Sequence, residues 1–136
     1  MKNSVILASA AVILSAHQTA QAAMLECPSA KAQMARCSLI EMRESGGMPT
    51  YSPFPVEGIF CAVDGQPGRA NFVFRVGDEA PFSHEFTAAN SAEDQYRSVN
   101  PSVSAELYID EANGQIKISE SVLGKTVTSL FSCLLW

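Results

Sequence analysis

The chain has 136 residues, 47% of them hydrophobic, with 9 Lys and Arg against 14 Asp and Glu and a formal net charge of −5. That length suits one domain with a core of its own and leaves little room for a second. The acidic balance argues against nucleic acid and anionic lipid surfaces, which are bound by clustered Lys and Arg that displace counterions; a basic partner stays open.

Residues 1–22 read as a secretory signal peptide. Lys2 supplies the positive start, residues 5–16 are apolar or small, and Ala20-Gln21-Ala22 places small side chains at the cleavage positions. The apolar run is too short to span a bilayer and is soon broken by His17-Gln18-Thr19. No second long apolar segment follows, so no transmembrane segment is expected after signal cleavage. Cleavage removes Lys2 and no acid, leaving 8 basic residues against 14 acidic and a net charge of −6. Residues 23–136 are then a single β-rich domain in the periplasm or outside the cell. There an even cysteine count, Cys27, Cys37, Cys61 and Cys133, implies disulfides rather than free thiols. Three pairings are possible. A bridge to Cys133 is favoured, and it would tie the last strand to the beginning or middle of the domain, restricting the unfolded chain by about 4 kcal/mol.

The start of the domain allows two readings. Pro28 suits the first turn of a short helix over 29–36, yet Ala35, Cys37 and Leu39 alternate with Arg36, Ser38 and Ile40, which favours a strand over 34–44. Ser45-Gly46-Gly47 ends it, and Pro49, Pro53 and Pro55 keep the following loop extended. Residues 56–63 are rich in β-formers and stop at Asp64-Gly65. Pro67-Gly68 launches a strand over 69–76, with Ala70, Phe72, Phe74 and Val76 on one face. Residues 77–81 break the pattern before Phe82, His84 and Phe86 resume it. The polar stretch 88–101 reads as a surface loop or a single helical turn around 92–97. Residues 103–110 and 115–119 form a hairpin around Asn113-Gly114, where positive φ angles are tolerated. Residues 125–136 are apolar on both faces, as in a strand enclosed by other structure. The whole is all-β, a small antiparallel β-sandwich or β-barrel of about 6–8 strands, disulfide-stabilised, with one short N-terminal helix as the variant. Phe60, Phe72, Phe74, Phe86, Leu107, Ile109 and Phe131 are its expected core.

Chemistry is sparse. His84 is the sole histidine after residue 22, and no Gly-x-Ser-x-Gly turn or other motif places a serine beside it. A Cys61–His84 nucleophile would need a free thiolate in an oxidising compartment. Neither a Cys-x-x-Cys nor a histidine pair supports zinc, and the oxygens of Asp110, Glu111 and Asn113 lack the twelve-residue calcium-loop pattern. No enzyme activity, cofactor or metal is therefore expected. The acidic pairs Asp78-Glu79 and Glu93-Asp94 read as solvated loop residues able to receive a basic partner. Tyr51 and Phe54, aromatics on a proline-stiffened loop, lose little entropy on binding. Together with Asp110 and Glu111 they are the contact residues expected of a binding protein whose partner is an unknown protein.

Two resemblances bear on this reading. The terminal Trp136 is similar to the final aromatic residue of outer-membrane barrels, although Cys133 and the short strands depart from that pattern. Size, leader, cysteines and β pattern resemble the small periplasmic inhibitors of lysozyme and the immunity proteins that neutralise toxins. The likeness is architectural, since the Ser-Gly-Ser-x-x-x-Tyr segment of the inhibitors is absent. It implies, as the alternative to a binding protein of unknown partner, an inhibitor or immunity protein against a basic hydrolase such as lysozyme.

Overall fold

A computed structural model describes residues 24–28 and 31–135; residues 1–23, where a signal peptide is expected, residues 29–30 and Trp136 lie outside the described residues. Among them are nine strands and no helix: β1 (Lys31–Glu44), β2 (Pro49–Thr50), β3 (Val56–Val63), β4 (Arg69–Val76), β5 (Phe82–Ala88), β6 (Gln95–Ser98), β7 (Ser104–Asp110), β8 (Gln115–Val122) and β9 (Lys125–Leu135). Every neighbouring pair is antiparallel, the order around the sheet follows the chain, and β9 returns to pair with β1. The result is a closed eight-stranded up-and-down barrel with β2 as an extra strand on β1. Closure leaves no long unpaired edge, which decides between the two expected architectures.

Period-two alternation dictates what enters the cylinder. Ala35 and Cys37 from β1, Phe60 from β3, Ala70 and Phe72 from β4, Phe86 from β5, Tyr96 from β6, Ala105 and Leu107 from β7, Ile116 from β8 and Phe131 from β9 are buried together inside. Arg36, Glu57, Arg69, Arg75, Glu85, Arg97, Glu106 and Lys117 alternate with them and give outward charge to β1 and to every strand from β3 to β8. This is the inverse of a barrel whose outer face meets lipid. The similarity carried by the chain end therefore does not extend to the arrangement of the strands.

β1 is long enough to serve two neighbours. Lys31–Ser38 pair with β3 on one side and Ala35–Glu44 with β9 on the other, with a register shift in the β9 pairing between Leu39 and Glu41. Cys37 lies directly opposite Cys133 across that seam, and the two are bridged, Cα–Cα 4.0 Å, over a sequence separation of 96. The second bridge, Cys27–Cys61, fastens residues 24–28 to the outside of β3. There Leu25 is buried with Ile59, Cys61 and Val73 in a satellite cluster, and the Arg36 guanidinium donates to the Leu25 carbonyl at 2.9 Å. Among the described residues no cysteine is free.

Four expectations change. Residues 31–36 are strand, so the helical variant fails; the alternation of Ala35, Cys37 and Leu39 outweighs the cue from Pro28. The supposed loop or helical turn within 88–101 contains β6, because Tyr96 is buried against Phe60 and draws its neighbours into the sheet. β9 is not enclosed on both faces: Leu134 points outward and is exposed, whereas Phe131 faces the core. At the β7–β8 turn only Gly114 adopts positive φ, +61°, because the connection has four residues rather than two.

Candidate functional site

The core does not fill the barrel. Above the layer of Phe72, Phe86 and Phe131 lies a cavity of about 330 Å³ that opens at one end. Its wall comes from Leu39 and Met42 of β1, Val56 of β3, Phe74 and Val76 of β4, Ile118 of β8 and Ser129 of β9, with Ser52 reaching in from the loop between β2 and β3. Two titratable side chains, His84 and Glu120, also line it.

The space exists because of what sits at its floor. Gly58 faces inward beneath Phe72, and a Cβ built on it would lie 2.4 Å from Phe72 Cζ. The missing side chain lets the far end of the ring sit against the β3 backbone. Phe72 then meets Phe131 edge-on at 5.1 Å and Phe74 at 6.5 Å, while Phe74 continues to Phe82 at 5.5 Å. A wall of rings thus climbs from the floor to the mouth. His84 packs edge-on against Phe74 at 5.6 Å and over Phe86 at 6.3 Å. Those contacts make its ring part of the aromatic wall.

Topology gathers the connections 45–55, 77–81, 99–103 and 123–124 at the mouth and 64–68, 89–94 and 111–114 at the other end. The two ends differ in chemistry. Around the mouth Met48, Tyr51, Phe54, Phe82, Val122 and Leu123 are all exposed. Phe54 is held beside Gly77, whose N–H donates to the Pro55 carbonyl at 2.7 Å. Leu123 is the extreme case: it is 98% exposed. With φ of +51° it shares a two-residue hairpin turn with Gly124, in a conformation that costs a residue bearing a Cβ about 1–2 kcal/mol.

The connections at the closed end carry Asp64, Glu93, Asp94 and Glu111. Asp110 accepts from the Asn113 side-chain amide at 2.8 Å and from its backbone N–H at 3.2 Å. These bonds, the side-chain one first, hold its carboxyl below the usual carboxylate range. Burial, and secondarily Glu93 and Asp94, push the Tyr96 phenol up.

The four expected contact residues are therefore separated. Tyr51 and Phe54 stand at the mouth, on a loop that both presents aromatics and covers one side of the cup, while Asp110 and Glu111 belong to the opposite end. Cys61 and His84 are kept on different faces of the sheet, Cys61 outward in its bridge and His84 in the cup. No group of three or more His, Cys, Asp or Glu able to hold a metal occurs among the described residues. Sequence reasoning missed Met42, Ser129, Glu120 and Leu123. The signal for Glu120 was present, since it continues the inward series Ile116, Ile118; that for Leu123 was a leucine in the first turn position before Gly124. No family model, curated protein or solved structure matches the chain.

Proposed function

We propose that this is an exported, non-catalytic binding protein whose ligand is a small, predominantly apolar molecule held in the barrel's open cup. The observation that carries the reading is the cavity itself, about 330 Å³ in a barrel whose remaining interior is packed. Its size falls at the lower end of the range of ligand pockets, about 300–1,000 Å³, and its wall is mainly hydrophobic with a few polar groups, as such pockets are. Glu120 and His84 supply the polar points that orient a ligand. Export to the periplasm or beyond is supported by two bridges and no free thiol among the described residues.

Binding of an environment-sensitive naphthylamine dye tests the reading. The protein is expected to enhance its fluorescence saturably. Met42→Trp, which fills the cup, abolishes the enhancement while leaving the unfolding free energy within about 1 kcal/mol of the parent. Undiminished dye binding by Met42→Trp refutes the cup as the site.

A second reading keeps the resemblance to hydrolase inhibitors and immunity proteins. It is favoured by the acids at the closed end, where Asp110 and Glu111 sit, and by the net charge of −5. It requires a complex with a basic hydrolase that weakens as salt is raised from 0.05 to about 0.5 M. A salt-insensitive association, or none, removes it.

A further inference from the structure

We propose that the mouth end of the barrel docks on a zwitterionic lipid surface, with Leu123 as its leading contact, so that the cup opens onto the lipid. Six exposed apolar side chains, Met48, Tyr51, Phe54, Phe82, Val122 and Leu123, surround one end of the cylinder. They come from three separate connections or their borders, 45–55, 77–81 and 123–124. The connections at the other end, 64–68, 89–94 and 111–114, bring no exposed large apolar residue among those described; the exposed Met24, Met34, Tyr108 and Leu134 toward that end lie on the N-terminal strap and the strands. Single exposed apolar residues are ordinary on a protein surface; their concentration at the rim of an apolar cavity is not.

Leu123 narrows the choice of occupant. A two-residue hairpin turn of this kind selects Asn or Gly at the first position, and leucine there is disfavoured by its backbone and gains nothing from burial within the chain. A contact outside the chain is what such a residue serves. The apolar groups stand on three separate connections and their borders. A lipid interface conforms to separate tips, whereas a protein partner would have to match each of them. Tyr51 adds the amphipathic ring suited to the headgroup level. Charge fixes the type of lipid. Asp78 and Glu79 lie at the same end, Lys125 there is paired with Glu44 at 3.3 Å, and the chain as a whole is acidic. An anionic surface would repel this end, and a zwitterionic one does not.

Vesicle flotation provides the test, with pure phosphatidylcholine vesicles and with an equal mixture of phosphatidylcholine and phosphatidylglycerol. The parent is expected to float with phosphatidylcholine in a salt-insensitive manner and less with the anionic mixture. Leu123→Asn keeps a residue that tolerates the turn, so the fold is retained while the bound-to-free ratio falls about tenfold. Parent and variant share the same N-terminus, and the difference reads the rim alone. Met42→Trp loses dye binding but floats as the parent does, which separates failure of docking from failure of the cup. The proposal is overturned if the parent stays in the aqueous phase, if Leu123→Asn floats equally well, or if binding needs the anionic lipid. A concentration-dependent dimer that Leu123→Asn dissolves also overturns it, by assigning the rim to a second copy of the chain.

Discussion

Replacing Gly58 by alanine is the most informative single change, because it forces one methyl group into the floor of the cup. The new Cβ would meet Phe72 Cζ at 2.4 Å and Cε2 at 2.7 Å, whereas carbon atoms in contact sit about 3.5 Å apart. The ring must therefore withdraw by about 1 Å. The β3 backbone lies behind the added methyl, and Phe131 already meets the ring edge-on, so the open direction is upward into the cavity that Phe72 lines. Overpacking of this kind costs about 1–3 kcal/mol. Alanine recovers about 0.5–1 kcal/mol because glycine loses more backbone freedom on entering a strand. A net loss of up to about 2.5 kcal/mol follows, and at about 4 °C per kcal/mol for a domain of this size the thermal midpoint falls by up to about 10 °C. The displaced ring also weakens dye binding. Thermal unfolding followed by circular dichroism reads the first effect and fluorescence titration the second. In the double variant Gly58→Ala/Phe72→Leu the smaller side chain accommodates the methyl, so the combined cost is smaller than the sum of the two single costs. A Gly58→Ala protein more stable than its parent, or strict additivity in the double variant, would refute the placement of Phe72 over Gly58.

The two bridges should contribute unequally. Chain-entropy arguments give about 4.7 kcal/mol for the Cys37–Cys133 loop against about 3.8 kcal/mol for Cys27–Cys61, from sequence separations of 96 and 34. Guanidinium titrations of the two paired Cys→Ala variants should rank them in that order, and the reverse order would place the main constraint in the N-terminal strap. Leu25→Ala removes a side chain only 2% exposed over Ile59 and Val73. It should destabilise by about 2–4 kcal/mol in the same titration, and an effect below 1 kcal/mol would show that the strap is not packed. Burial, reinforced by Glu93 and Asp94, raises the Tyr96 pKa in the folded state. The neutral phenol is thus the form the fold keeps: its contribution is intact below the unfolded value of about 10 and is lost as pH rises from there through the folded value. The midpoint should drop between pH 9 and pH 11.5 by more in the parent than in Tyr96→Phe; equal drops would contradict a buried phenol.

Much of this barrel was legible in the sequence because alternation is a local signal. The bounds of β3 and β4 follow directly from inward Phe60, Phe72 and Phe74 and from the turn residues between them. β6 was hidden because four residues with one buried side chain, Tyr96, make too short a period to stand out from polar neighbours. β9 misled for the opposite reason: Leu130 and Leu134 are apolar yet outward, and only the three-dimensional arrangement shows that nothing among the described residues covers Leu134. Pairing of the first barrel strand with the last is a non-local fact. So is the cup, which depends on how far the rings of Phe72, Phe86 and Phe131 fill a cylinder assembled from eight strands. Tyr51 and Phe54 were recognised as exposed aromatics, but their grouping with Leu123, about 70 residues further along, required the up-and-down order of the strands.

The seam between β1 and β9 also governs how the molecule can be made. A ribosome or a translocation pore delivers β1 first, and its partner on that side arrives about 80 residues later, so the nascent polypeptide must carry an unsatisfied ladder of amides until synthesis is nearly finished. Cys61 emerges early enough for Cys27 to find it, whereas Cys37 waits for Cys133 and is exposed meanwhile to any competing thiol. Assistance from a holding chaperone and a disulfide isomerase would therefore matter most for the late closure, and truncation before β9 would leave a sticky open sheet in place of a smaller barrel.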